Sequence, residues 1–228
     1  MRKKMTGISG FQLKWIGIVT MAIDHIGHVL FPQCWMLRVI GRLAFPIFCF
    51  LLVEGFHYTH DRKRYALRLA AFAVISELPF NIAIFGNWFV PQHQNVFWTL
   101  TIGVLMMTAL EWIDKRQSGA VFGVLKIGAV LLAMLLTVVL RTDYSEKGIF
   151  MIFLFYIFYQ NRRAAALSVA GYNLALSLWQ LGSVQGAAAL SAVPILCYNG
   201  KEGKKMKYFF YLFYPVHLLL LHVISLIV

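Results

Sequence analysis

Long apolar runs, interrupted by Gly, Pro, Asn or clusters of charge, dominate the chain from residue 11 to its end. Five of them, at 11–31, 35–57, 65–85, 95–112 and 119–140, are long enough to cross a bilayer as helices. Four tighter runs follow, at 148–159, 164–179, 184–198 and 208–227, and three of these fall below the ~17 residues of a full span. The pattern predicts an all-α, polytopic transmembrane helix bundle of about nine spans. Nine helices of about 20 residues take up ~180 positions and leave ~48 of the 228 for connections. The chain therefore reads as a single integral-membrane domain, 1–228, with no repeat, low-complexity tract or linker.

Composition sharpens that picture. The chain is 60% hydrophobic and 13% charged, with a mean hydropathy of +0.71, where soluble domains average about 45–50% apolar and ~25% charged residues. Soluble enzymes and soluble nucleic-acid binders are excluded. The net charge of +12 then reports orientation and attraction to anionic membrane lipids, with no nucleic-acid partner. With the N-terminus cytoplasmic, the inner segments hold Arg2, Lys3, Lys4, Arg62, Lys63, Arg64, Lys115, Arg116, Arg162, Arg163, Lys201, Lys204, Lys205 and Lys207. The outer connections hold only Arg38, Arg141 and Lys147. Nine spans with the N-terminus inside and the C-terminus outside follow from that asymmetry. The basic start resembles a signal sequence, but it lacks a small-residue cleavage site and carries Asp24 and His25, so it reads as an uncleaved first span. Cys34, Cys49 and Cys197 have no C-x-x-C spacing, so neither a disulfide framework nor a metal site is expected.

Ionisable residues inside the spans are the informative ones, because each costs at least ~2.5–3.5 kcal/mol at mid-bilayer without a partner, a wet cavity or a function. Thr20, Asp24 and His28 recur every four residues on one face of the first span, with His25 beside them. They fall in the outer half of the membrane, the depth also reached by Arg42, Glu77 and Asn81. Glu77 and Asn81 share a face, and Pro79 between them frees a backbone carbonyl. Asn95, Thr99 and Gly103 form a small polar stripe that fits close helix packing. Asp143 and Tyr144 follow Arg141 in an outer connection. Tyr211, Tyr214 and His217 recur every three residues in the last span and make His217 a second candidate for chemistry.

Two histidines, a carboxylate, an arginine and a glutamate suit proton transfer, since imidazole titrates near neutrality. A proton-coupled transporter or lipid-carrier flippase would use such groups. A transferase that deprotonates an amine or hydroxyl before attack on a thioester would use them equally. An inert assembly partner has no need of intramembrane charge. No Gly-rich phosphate loop, H-E-x-x-H or G-x-S-x-G occurs, which removes support for ATPases, zinc proteases and elbow-type serine hydrolases.

The segment Lys14-Trp-Ile-Gly-Ile-Val-Thr-Met-Ala-Ile-Asp24-His25-Ile-Gly27 resembles the opening of the TraX family, whose founding member acetylates the N-terminus of conjugative pilin. Ile40-Gly-Arg42-Leu-Ala-Phe-Pro46, Glu54-Gly-Phe, Tyr65 with Arg68-Leu, Ser76-Glu77-Leu-Pro79-Phe and Asn95-Val-Phe-Trp-Thr-Leu resemble its next blocks. Asp143-Tyr144, Tyr198-Asn199-Gly200 and Phe210 through His217 continue the likeness. The family is similar to membrane acyltransferases such as heparan-α-glucosaminide N-acetyltransferase. That resemblance implies a multi-pass protein of the bacterial cytoplasmic (inner) membrane that moves acetyl from cytosolic acetyl-CoA to an outer amine or hydroxyl. Its catalytic residues would be His25 as general base with Asp24, Arg42, Glu77 and His217. His28, Asn81, Asn95, Asp143, Tyr144 and Tyr214 would line the substrate site, and Arg62, Arg64, Arg68, Lys204 and Lys205 would draw in the phosphates of acetyl-CoA. Asp24 lies about 100° round the helix from His25 and is expected to pair with Arg42 or His28. The acceptor, a peptide N-terminus, a glycan or a lipid-linked glycan, stays open, as does the oligomeric state, homodimer included.

Overall fold

In a computed structural model, which describes residues 7–116, 119–180 and 183–227, the chain is helical along most of its length. The helices are α1 (Gly10–Val29), α2 (Trp35–Gly41), α3 (Ala44–Tyr58), α4 (Arg62–Phe85), α5 (Val96–Asp114), α6 (Ala120–Val139), α7 (Ser145–Ile157), α8 (Arg162–Trp179), α9 (Ala192–Leu196) and α10 (Lys207–Ser225). A 3-10 segment, Val184–Ser191, leads into α9. Among the described residues, five stretches are long and apolar enough to cross a membrane: Trp35–Tyr58, Arg62–Phe85, Val96–Asp114, Val121–Val139 and Tyr208–Ser225. The chain is a membrane protein. Its lipid-ready surface is most evident on α6, where Val121, Val124, Ile127, Leu131, Leu135 and Val139 all face outward, an arrangement that water would penalise and hydrocarbon would not.

Two of the apolar runs are built differently from plain helices, and proline accounts for both. The run 35–57 breaks after Gly41 and resumes at Ala44. Pro46 has no N–H to bond the carbonyl four residues earlier, at Arg42, so the helix loosens there. The run 184–198 becomes a 3-10 segment and the short α9. Pro194 likewise offers no donor to the carbonyl of Leu190, and Gly186 packs close to Ser177, where an added Cβ would stand 2.9 Å from its Oγ. At about 2 Å per residue over the 3-10 part and 1.5 Å over α9, this run rises less than the ~30 Å of a hydrocarbon core.

The chain divides into two compact units, Met1–Leu51 with Phe158–Val228, and Leu52–Ile157. In the first, α1 packs on α2 and α10, and α8 packs on the 3-10 segment and α9. Phe11 and Trp15 near the start of α1 meet Phe209 and Phe210 near the start of α10, while His25 further along meets His217. The two helices therefore run parallel. In the second unit α5 is the central rod, packed on α4, α6 and α7. Gly103 lets α7 approach so closely that a Cβ there would stand 2.5 Å from Ile152 Cδ1.

Candidate functional site

The first unit holds the cluster expected around the first span. Ser9 and Gln12 form a reciprocal capping box that starts α1, and the helix carries Asp24 and His25 on its fifteenth and sixteenth residues. Asp24 is buried, 8% exposed. Arg42 Nη2 donates to both of its carboxylate oxygens at 2.8 Å, and Arg38 Nη1 donates to Oδ2 at 2.8 Å and to the Asp24 carbonyl at 3.3 Å. Arg42, the helical C-cap of α2, stands one turn beyond Arg38, so one face of α2 turns both guanidiniums to this carboxylate. Glycine makes the approach possible: a Cβ on Gly41 would overlap the Asp24 side chain, and one on Gly27 would stand 2.6 Å from Leu37 Cβ. One carboxylate between two guanidiniums leaves a local excess of one positive charge, an arrangement suited to an anion or a developing oxyanion.

Pairing of Asp24 with Arg42 agrees with the expectation from helix geometry. Arg38, read from the sequence as a residue of an outer connection, is a second partner on α2. A signal was available, because Arg38 and Arg42 are four apart and share a helix face.

The imidazole that meets His25 comes from α10. His25 Nδ1 lies 2.7 Å from His217 Nε2, and His217 Nδ1 lies 2.7 Å from the Phe213 carbonyl. A carbonyl can only accept, so His217 Nδ1 carries the proton. In a neutral pair His217 Nε2 is then the acceptor and His25 Nδ1 the donor, which leaves the lone pair of His25 on Nε2. The backbone of α10 thus dictates which atom of His25 is basic. When His25 Nε2 takes up a proton, its Nδ1 proton can pass to His217, so two rings share the charge. Tyr214 packs edge-on to both rings, with centroids 5.9 and 5.7 Å away, and Phe213 stacks on His217 at 4.8 Å. His28 sits exposed in the last turn of α1.

A loop at the other end of α1 explains the Tyr198-Asn199-Gly200 motif. Ile8 pairs with Tyr198, the Asn199 amide donates to Ile8 O at 2.8 Å, and the Gly10 and Phe11 amides donate to the Lys201 and Glu202 carbonyls. Arg162 donates to the Tyr198 carbonyl and lies over its ring. Gly200 and Gly203 turn the loop at φ +77 and +74, angles that cost little only for glycine. Lys204 is exposed in this loop, and Lys205 sits 3.9 Å from Glu202. Arg2, Lys3 and Lys4 lie outside the described residues, as does the side chain of Lys207.

The second unit has its own polar cluster. Asn95 caps α5 by accepting from the Phe97 amide, and its Nδ2 donates to the Ala73 carbonyl and to Glu77 Oε2. Trp98 Nε1 adds a third donor to the same oxygen at 3.2 Å. Asn81, one turn further along α4, is buried. Thr99 bonds Thr142 and the Asp143 carbonyl, and Gln94 exchanges backbone hydrogen bonds with Arg141 and Asp143. Arg141, Tyr144 and Ser145 adopt positive φ here, and Asp143 is exposed. Among the basic residues expected to attract phosphate, Arg62 pairs with Glu111 and lies over Phe56, Arg64 pairs with Asp61, and Arg68 lies over Tyr65. Among the described residues no group of His, Cys, Asp and Glu is placed to hold a metal ion.

The family model described as TraX protein matches residues 9–225. The probable fimbrial assembly protein FimC, serogroup H1, of Dichelobacter nodosus is 31% identical over 93% of this chain and 94% of its own. Two Escherichia coli proteins named Protein TraX, one of them from strain K12, are 28% and 26% identical, each over 94% of this chain and 86% of its own. No solved structure matches. The match spans α1 to α10 and takes in Asp24, His25, Arg42 and His217 alike, and on that ground the chain belongs to the TraX family.

Proposed function

We propose that the protein is a multi-pass acetyltransferase of the bacterial cytoplasmic membrane, related to the wider membrane acyltransferases, that uses cytosolic acetyl-CoA to acetylate an amine or hydroxyl at the outer side. The observation that carries this reading is the tautomer chain from the Phe213 carbonyl through His217 to His25. It presents a basic nitrogen, His25 Nε2, beside a residue held by two arginines. A role in pilin or fimbrial processing accords with the names of the relatives. Parallel α1 and α10 accord with an odd number of crossings between them and including both.

In the proposed reaction the acceptor nitrogen or oxygen attacks the thioester carbonyl carbon, the new bond to carbon forms, and the carbon–sulfur bond breaks. His25 Nε2 takes the acceptor's proton, His217 shares the resulting charge, and the proton returns to the departing CoA thiolate. The positive excess of Arg38 and Arg42 over Asp24 favours the oxyanion that forms in between. Lys204 and Lys205, in the loop that wraps the start of α1, attract the phosphates of acetyl-CoA. From that loop to His25 is a rise of about 22 Å along α1, the distance the acyl-bearing arm must bridge. Arg62, Arg64 and Arg68 add to the positive field of the second unit.

The test is CoA release from acetyl-CoA by the purified protein in proteoliposomes, with mass spectrometry of acetylated products in cells that have or lack it. His25→Ala should abolish release while the protein keeps its fold. Unchanged release in that variant removes the base, and solute accumulation without any CoA release favours a proton-coupled transporter or flippase instead.

A further inference from the structure

Arg68 in α4 is a guanidinium without a carboxylate. It stands six residues beyond Arg62, about 9 Å further along the axis, inside a stretch long and apolar enough to cross a membrane. The ion pairs of the second unit join Arg62 and Lys115 to Glu111, Arg64 to Asp61 and Lys126 to Asp114, and among the described residues none reaches Arg68. Its Nε is buried with no hydrogen-bond partner, and its guanidinium lies over the Tyr65 ring, 5.6 Å from the centroid. Tyr65 is a fixed platform. It is buried, its hydroxyl donates to the Leu52 carbonyl at 3.4 Å, and a Cβ on Gly55 would stand 2.8 Å from that hydroxyl. The inward edge of Arg68 thus finds no acceptor. A charge at this depth is costly unless it is paired, and pairing can come only from outside, at the two Nη groups.

The surface beside Arg68 is apolar. Leu67, Ala71, Val74, Ile75 and Leu78 are all exposed, and at about 100° per residue they form one stripe of α4 with Arg68 at its edge. Side chains on a helix lean toward its N-terminus, so Arg68 reaches back toward Arg64 and the basic start of α4, the level at which a bilayer places its phosphates. Arg64 is exposed there, sharing its charge with Asp61. We propose that Arg68 and this stripe bind one anionic phospholipid, with its phosphate on the Arg68 Nη groups and an acyl chain along Leu67 to Leu78. A phosphodiester carries one negative charge for the one guanidinium left without a carboxylate, and its two free oxygens accept from a guanidinium fork. A zwitterionic headgroup brings an ammonium of its own to the same place and gains less. The site lies wholly within the second unit and is independent of the acetyl-transfer reading. The lipid is the missing counter-ion of α4, so the stability of that unit depends on the anionic fraction of the bilayer.

The experiment is native mass spectrometry of the full-length protein in detergent, titrated with phosphatidylglycerol, phosphatidylethanolamine and diacylglycerol of the same acyl chains. Phosphatidylglycerol should bind about tenfold more tightly than phosphatidylethanolamine, and diacylglycerol should show no saturable binding. Arg68→Gln should cut that preference to about twofold or less, and Arg68→Lys should keep most of it. In parallel, a phosphatidylglycerol with a diazirine midway along one acyl chain should label α4 between Leu67 and Leu78. That labelling is read on the unaltered protein and decides the matter even where a variant fails to fold. Equal affinity for the two phospholipids overturns the proposal, as does an unchanged preference in folded Arg68→Gln or labelling confined to other helices. Loss of the α4 label on adding excess 3′,5′-ADP, a soluble phosphate without acyl chains, overturns it too and assigns Arg68 to the phosphates of acetyl-CoA.

Discussion

Removing the Asp24 carboxylate should be the most damaging single change in the first unit, and the charge count says why. With Asp24 present the cluster carries one excess positive charge, and Asp24→Asn raises that to two while turning an amide N–H toward guanidinium donors. Each guanidinium sits 2.8 Å from the carboxylate, so the two are about 4 Å apart, and at an effective dielectric near 20 their repulsion is about 4 kcal/mol. The side chain of Arg42 is 15% exposed and that of Arg38 31%. Arg38 can therefore swing toward solvent and relieve part of the repulsion, which brings the expected loss to about 3 kcal/mol, within the range for breaking buried pairs. Arg42→Gln leaves a neutral Asp24–Arg38 pair and should cost about 1–2 kcal/mol, and Arg38→Gln about 1 kcal/mol or less. Unfolding in mixed micelles titrated with SDS gives all three values on one scale. A loss below 1 kcal/mol for Asp24→Asn, or one smaller than that of Arg42→Gln, would refute the charge argument.

Other expectations follow from neighbouring features. Gly41→Ala, which sets a methyl group into the Asp24 side chain, should destabilise by ~2 kcal/mol or more, whereas Gly128→Ala, with open space around it on α6, should be neutral or stabilising by about 0.5 kcal/mol in the same titration. His217→Ala withdraws the acceptor from His25 Nδ1 and should lower CoA release by ~10²-fold; combined with His25→Ala it should cost no more than His25→Ala alone, and additive losses would separate the two rings. Trp98→Phe deletes one donor to Glu77 Oε2 and should cost about 1 kcal/mol in thermal unfolding, with no change meaning that the indole does not orient the carboxylate. Gly200→Ala, forced to φ +77, should cost ~1 kcal/mol and loosen the loop at the start of α1, seen as faster amide exchange at Gly10 and Phe11.

Much of this molecule could be read from residue order because lipid enforces a simple grammar: apolar length gives the helices, and costly intramembrane charge singles out Asp24, His25, Arg42, Glu77 and His217. The pairing of Asp24 with Arg42 followed from the 100° step between Asp24 and His25. Spacing along one helix could not say which imidazole His25 would meet, because the partner stands on α10 and its tautomer depends on a carbonyl of that helix. Arg38 escaped because basic residues near span ends look topogenic until the close approach at Gly27 and Gly41 is known. The 3-10 run at Val184–Ser191 escaped because apolar content conceals the donor that Pro194 removes. Arg62 and Arg64 looked like a field for phosphates, yet each has a carboxylate nearby, Glu111 and Asp61.

The two imidazoles are separated by 192 positions, whereas Arg38 and Arg42 lie only 14 and 18 positions from Asp24. During synthesis the carboxylate and its arginines can close on one another as soon as α2 emerges. His25 must wait for the ribosome to deliver the final helix to the bilayer. A nascent chain is thus electrically settled around Asp24 long before the two rings can meet.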